Sequence, residues 1–336
     1  MSDQLKRYDM EKPKALALLS GGLDSTLAVK LILKQGINVE AVNFVTPFCL
    51  CNQCSINRFA EDLKIKVHRI FLGQEFLDII VNPPHGYGRH MNPCIDCRIL
   101  MFKEAKELAE KIGADFIVTG EVLNERPFSQ RKEAMLQIER QSGLEGKILR
   151  PLSAKFLPIS EPEKNELIHR KRLLAIRGRR RLPQMKLARK LSIKDYPCPS
   201  GGCLLTDPRF AERLREHLYH ERRLTLEDVA LLKVGRHFRV DNGKIIVGRN
   251  ENENNRLMMI AKSQKLSWLE AVDYKGPITL IIGESKPSLL EKAATLTARY
   301  SDAPKENLIR VACRGDKEQV VEACAITDET LENMRI

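Results

Sequence analysis

Three sets of residues have types and spacings that suggest chemistry. The first is "SGGLDS", residues 20–25, set between an apolar run ending at Leu19 and a helical pattern opening near Asp24. A strand, a turn of small residues and a helix start present unpaired backbone amides and the positive helix end to an anion. The hydroxyls of Ser20 and Ser25 add donors, and Asp24, repulsive toward a phosphate by itself, makes sense where it handles a Mg²⁺ shared with the phosphates. The spacing is neither Walker A nor Gly-x-Gly-x-x-Gly. The plain alternative is a tight turn capped by Asp24 and Ser25.

The second set is cysteine. Seven of the nine fall into local groups, Cys49/Cys51/Cys54, Cys94/Cys97 and Cys198/Cys203, while Cys313 and Cys324 stand apart in apolar surroundings and are expected in the core. No export signal precedes them, so metal or sulfur chemistry is expected rather than a disulfide framework. The run "NPPHGYGRHMNP", 82–93, holds too much Pro and Gly for a regular element, so a loop delivers Cys94 and Cys97 to a helix start. Two thiolates at that spacing can share a metal centre, and the helix end with Arg89 and Arg98 is expected to lower their pKa. A competing pattern pairs Cys51-x2-Cys54 with Cys94-x2-Cys97 as a four-thiolate Zn²⁺ site.

The third set is basic. Net charge is +12, and Ile168 to Lys194 holds eleven Lys/Arg and no Asp/Glu. A polyanion partner is implied, with Arg170, Lys171, Arg172, Arg177, Arg179, Arg180, Arg181, Lys186, Arg189 and Lys190 as its contacts. Aromatic content is only 5%, which supplies a stacking platform for unpaired bases poorly and favours a structured RNA gripped by its phosphates. Around the first two sets lie weaker candidates. Thr119, Gly120 and Glu121 end the strand in "DFIVTGEV"; Arg126 and Gln130 lie in the following loop; His85 and His90 sit in the Gly-rich loop.

The elements that must position these residues follow from hydrophobic rhythm. The first 120 residues alternate strand and helix signals, which predicts α/β architecture with a doubly wound parallel sheet and helices on both faces. From about Arg150 to Tyr196 the pattern reads as helical and basic. From about Leu224 short strands and two helices, near Glu251–Ala261 and Pro287–Arg299, predict a smaller α+β domain. The expected domains are 1–160, a basic segment 161–223 that completes the catalytic domain, and 224–336. No apolar run approaches the ~20 residues of a membrane span and the first residues lack a signal-peptide core, so a cytoplasmic protein without a membrane partner is expected.

"SGGLDS" resembles the pyrophosphate loop of the PP-loop ATPases (N-type ATP pyrophosphatases), and "NPCIDC" with "CPSGGCLL" resembles the two active-cysteine segments of their tRNA thiouridine synthetases. The resemblance implies a Rossmann-like (HUP) fold, with ATP phosphates on Ser20, Gly21, Gly22, Asp24 and Ser25 and a nucleotide contact at Thr119 and Gly120. In the cluster-bearing members a Cys-x2-Cys and one distant Cys hold a [4Fe-4S] cluster, which maps to Cys94, Cys97 and Cys203. Cys198 would then be a further ligand, a persulfide carrier or a buried thiol. The carboxy-terminal part, through "GKIIVGRNENENNRL" (243–257), resembles the RNA-binding-like domain of NFACT proteins. The implied activity is ATP-dependent thiolation of a tRNA uridine, with Mg²⁺ as cofactor and inorganic sulfide or a persulfide carrier as sulfur donor, and it admits a homodimer. The rival expectations are a PP-loop ligase for a small molecule with structural zinc, and a non-catalytic RNA-binding factor.

Overall fold

The computed structural model describes residues 12–49, 53–193, 196, 203–284, 286–315 and 318–336, without the side chains of 53–55. The chain divides into two compact units, Met1–Asp207 and Pro208–Ile336.

The first unit alternates strand and helix: β1 (Lys14–Leu18), α1 (Leu23–Leu33), β2 (Asn38–Val45), α2 (Gln53–Leu63), β3 (Val67–Phe71), α3 (Gln74–Val81), α4 (Cys94–Ile112), β4 (Phe116–Thr119), α5 (Lys132–Ser142) and β5 (Ile148–Leu149). The strands form one parallel sheet in the order β3-β2-β1-β4-β5. Alternation along β1 explains the double winding. Ala15 and Ala17 bury against Ala28, Val29 and Ile32 of α1, whereas α4 packs on β1 and β4, with Phe102 fully buried. The order reverses between β1 and β4, so the turns after these two strands lie side by side at the carboxyl ends, where open α/β sheets bind ligands.

Downstream of β5 the chain departs from the expected helical segment. It contains only a four-residue helix, α6 (Glu161–Lys164), and α7 (Leu182–Lys190), apart from two single 3₁₀ turns. Pro158 and Pro162 limit helix length, and Gly178 takes a left-handed φ of 88°, so extended stretches intervene. α7 packs on α1 through Leu23, Leu27 and Ala188.

The second unit comprises α8 (Pro208–Glu221), α9 (Leu226–Leu232), β6 (Arg236–Val240), β7 (Gly243–Val247), α10 (Glu251–Gln264), β8 (Trp268–Ala271), β9 (Thr279–Ile282), α11 (Pro287–Arg299), β10 (Ile309–Arg314), β11 (Gln319–Ala323) and α12 (Asp328–Met334). Its strands form an antiparallel sheet ordered β11-β10-β8-β9-β7-β6. One core gathers Phe238, Ile245 and Val247 with the α11 residues Ala293 and Leu296; a second gathers Ile246 and Leu280 with Leu257 and Ala261 of α10. Asn250 starts α10 by accepting the amide of Glu253 at 3.0 Å. Cys313 is buried, but Cys324, expected in the core, is exposed just after the edge strand β11.

A buried ion network ties the first unit's elements together. Arg150, 3% exposed, bonds Glu121 after β4 at 2.9 Å and Glu139 of α5, and Arg98 of α4 lies 3.4 Å from Glu121. Glu121, a sequence candidate for the nucleotide site, is thus the hub of the network that fixes α4 against the sheet. Removing one partner of such a group strands buried charge. Arg150→Met is expected to lower unfolding stability by about 3–5 kcal/mol, read from the denaturant midpoint of the first unit's transition.

Candidate active site

The turn after β1 is built from within. Gly21 adopts a left-handed φ of 77°, which a side chain would resist. The buried Asn43 amide donates to the Leu19 carbonyl at 2.9 Å, holding the strand end, and the Ser25 hydroxyl donates to the Gly22 carbonyl at 2.9 Å. Gly22 gives α1 no side-chain cap, so the first-turn amides remain for a ligand. From the neighbouring strand, Gly120 lies so close that a Cβ would stand 2.4 Å from the Ser25 nitrogen and 2.6 Å from the Asp24 carbonyl oxygen. Only glycine lets the end of β4 abut the phosphate-type turn, and Thr119 beside it is buried.

Asp24 has a partner that local sequence does not signal. Its Oδ2 accepts from Arg181 at 2.7 Å, and Arg181 Nε lies 3.3 Å from Glu125 Oε1. Burial and the nearby Asp24 charge push the Glu125 pKa up, while the two carboxylates hold Arg181 firmly charged. Asp24 Oδ1 is buried without a hydrogen-bond partner, an open oxygen that fits a divalent cation. One turn along α7, Gln184 is fully buried with both amide atoms unpartnered.

The thiols converge from three segments. Cys94 opens α4 and Cys97 follows one turn later. The far segment arrives by backbone pairing: Cys203 forms an antiparallel bridge with Cys49, the Leu204 amide donates to Phe48 O at 2.9 Å, and the Met91 amide donates to Leu205 O at 3.2 Å. Cys49, Cys94, Cys97 and Cys203 form no disulfide, and the other three cysteines act electrostatically on Cys97. The expected pKa lowering does not hold. Burial pushes Cys97 up to about 12 and Cys203 to about 11, and raises Cys94, outweighing the favourable charges of Arg98 and Arg126. Among the described residues no three Cys, His, Asp or Glu side chains form a ready site for a metal ion. Cys198 and Cys51 lie outside the described residues, as does the side chain of Cys54.

Residues 124–130 join the two halves of the site. Glu125 faces Arg181 and Asp24, whereas the next residue, Arg126, acts on Cys94 and Cys203. Gln130 accepts the Arg126 amide at 2.9 Å and shapes the loop. His85 is tied by its Nδ1 to Asp96 at 2.6 Å, fixing the Gly-rich loop onto α4 between the two cysteines. Eight of the ten basic candidates are exposed; Arg170 and Arg181 are not free for an outside partner, because Arg170 pairs with Glu163 at 2.6 Å and bonds the carbonyls of Ala154 and Leu157.

Comparison with known proteins agrees with this arrangement. Residues 11–156 match the family model described as thiamine biosynthesis protein (ThiI), and residues 235–335 match the NFACT protein RNA binding domain. Each match covers less than half of the chain, and each states a similarity of that stretch alone. It is 34% identical over 117 residues to the tRNA-specific 2-thiouridylase MnmA of Syntrophotalea carbinolica, covering 31% of this chain and 33% of that one. Against MnmA of Pseudomonas fluorescens (strain SBW25) the identity is 24% over 229 residues, covering 62% and 57%. The chain therefore spans only a third to just over half of these relatives' length. Among solved structures, a 4-thiouridine synthetase–RNA complex with bound ATP aligns at 23% identity and a TM-score of 0.37, over 66% of this chain and 52% of the other. The U34-tRNA thiolase NcsA from Methanococcus maripaludis with its [4Fe-4S] cluster aligns at 15% and 0.32, over 66% and 71%. No helix among the described residues is long and apolar enough to cross a membrane.

The raised thiol pKa values have a direct consequence. In metal-free protein at pH 8, Cys97 and Cys203 keep their protons and are poor nucleophiles, whereas the exposed Cys324 is open to reagent. Mass-mapped alkylation with iodoacetamide is expected to label Cys324 before Cys97 and Cys203, whose rates climb steadily as pH rises toward 11.

Proposed function

We propose that the protein is an ATP-dependent tRNA sulfurtransferase that adenylates a uridine carbonyl and replaces its oxygen by sulfur. One observation carries this reading. The turn with Asp24 and the Cys94/Cys97/Cys203 thiols belong to one unit, and one loop carries both Glu125, paired with the Arg181 that holds Asp24, and Arg126, whose charge favours the Cys94 and Cys203 thiolates. The family relationships support ATP use and tRNA thiolation at the coarse level.

In this reading the amides of residues 20–25 and the Ser20 and Ser25 hydroxyls receive the ATP phosphates, and Asp24 Oδ1 takes the Mg²⁺. Thr119 and Gly120 border the nucleotide. The uracil oxygen attacks the α-phosphorus and pyrophosphate leaves; a sulfur nucleophile takes the activated carbon and AMP departs. Arg181, held at Asp24 and Glu125, places a fixed positive charge beside the turn where phosphate charge would develop. The donor set Cys94, Cys97 and Cys203 fits a [4Fe-4S] cluster: these crowded, half-buried thiols become stable thiolates only with cations among them, and a multi-iron cluster takes each on its own iron. Bound there by three thiolates, it would supply one open iron position for sulfide. The sulfur source is inorganic sulfide or a persulfide carrier. Lys171, Arg172, Arg177, Arg179, Arg180, Lys186, Arg189 and Lys190 bind the tRNA backbone, contacts that position the substrate without choosing the nucleotide.

Two substitutions separate the half-reactions. Asp24→Ala is expected to abolish tRNA-dependent pyrophosphate release. Cys97→Ala is expected to keep pyrophosphate release within a few-fold of the parent while losing all sulfur transfer. Sulfur transfer by the Cys97→Ala protein would refute the role given to the thiol set.

A further inference from the structure

The second unit holds a cavity of about 200 Å³ between α8, α9 and strands β6, β7 and β9. Leu231, Ile246 and Ile282 give it apolar walls, and His237 and Lys244 line it from the sheet. His237 is 1% exposed. Its Nε2 lies 2.8 Å from the Val234 carbonyl, to which it can only donate, so the neutral ring carries its proton there and Nδ1 is left as an acceptor. That Nδ1 has no hydrogen-bond partner. Burial and the Lys244 charge hold His237 well below the ordinary imidazole value, so Nδ1 stays unprotonated near neutral pH. Lys244, 5% exposed, donates to Glu216 at 3.1 Å and has further N–H donors.

The charge balance narrows the ligand. Lys244, Arg239 and Arg223 in the lining are matched by Glu216, which pairs with the first two, and by Glu221 and Asp228, so the site lacks the net positive charge that a phosphate needs. It offers instead aliphatic walls for a flat ring, one buried acceptor and an adjacent donor. A nucleobase edge carries this pairing of N–H and acceptor atoms, and the space suits a single base rather than a base pair.

We propose that this cavity takes one unpaired nucleobase of an RNA strand, recognised through Nδ1 of His237 and the ammonium group of Lys244. The inference rests on the reading of the second unit as RNA-binding, and it adds a second base-recognising site to the uridine site proposed above. Fluorescence anisotropy with the full chain tests it, comparing a short unstructured oligoribonucleotide with an abasic ribose-phosphate strand of equal length. The base-bearing strand is expected to bind about tenfold more tightly. His237→Leu, which removes the acceptor, and Ile282→Phe, which narrows the cavity from a half-buried position, are each expected to erase that preference while sparing pyrophosphate release. Equal binding of the two strands, a preference that survives both substitutions, or displacement of the base-bearing strand's advantage by inorganic phosphate would overturn the pocket alone. Failure of the chain to bind either strand would reject the pocket together with the RNA-binding reading beneath it.

Discussion

A thiol that is to become a ligand or a sulfur carrier must first be brought beside its fellows, and here a short piece of antiparallel backbone does so. The Cys49–Cys203 bridge and the Leu204 and Met91 amide bonds deliver a cysteine from beyond α7 to the end of β2 and the start of α4. The delivery is made into a crowded, half-buried place, so the sulfurs stay protonated when empty. Protonation keeps them unreactive until cations compensate their charge.

The rest of the first unit sets the turn of residues 20–25 beside the end of β4. The parallel order β3-β2-β1-β4-β5 makes β1 and β4 neighbours, and Leu18 is in register with Thr119, so the two strand ends meet. Gly120 then abuts the backbone of Asp24 and Ser25, and the loop that follows carries Glu125 toward Arg181 and Arg126 toward the thiols. The buried Arg150 network anchors the same segment from below through Glu121. Backbone packing, buried charge and loop direction therefore all act on residues 119–130, and the proposed coupling of nucleotide cleavage to sulfur transfer depends on that stretch.

What was legible in the sequence was local. The strand–turn–helix around residues 14–33, the cysteine pair at the start of α4, and helices α10 and α11 are set by short-range patterns of apolar residues, glycine and proline, and the structure has them at or within a few residues of the expected positions. What was not legible was distant or environmental. The Arg181–Asp24 pair joins residues 157 apart in sequence, and no local signal distinguishes that arginine from its exposed neighbours Arg179 and Arg180. The acids that engage Arg170 and Arg181 come from outside the acid-free run, so counting charge within the run overstated its free surface. Thiol acidity follows from burial, which the flanking arginines do not reveal, and Cys324 follows an edge strand that apolar neighbours alone cannot identify. Gln184 reads as an ordinary polar residue of a basic helix, yet it is fully buried without a partner beside the site.

The account's central claim is that nucleotide cleavage and sulfur transfer act on one tRNA base. Nucleoside mass spectrometry of tRNA incubated without oxygen with the full chain, MgATP and sulfide tests it most directly. The account predicts a single uridine carrying sulfur in place of a carbonyl oxygen, formed only when ATP is present and accompanied by AMP and pyrophosphate. ATP cleaved to AMP and pyrophosphate with every uridine left unthiolated would contradict it.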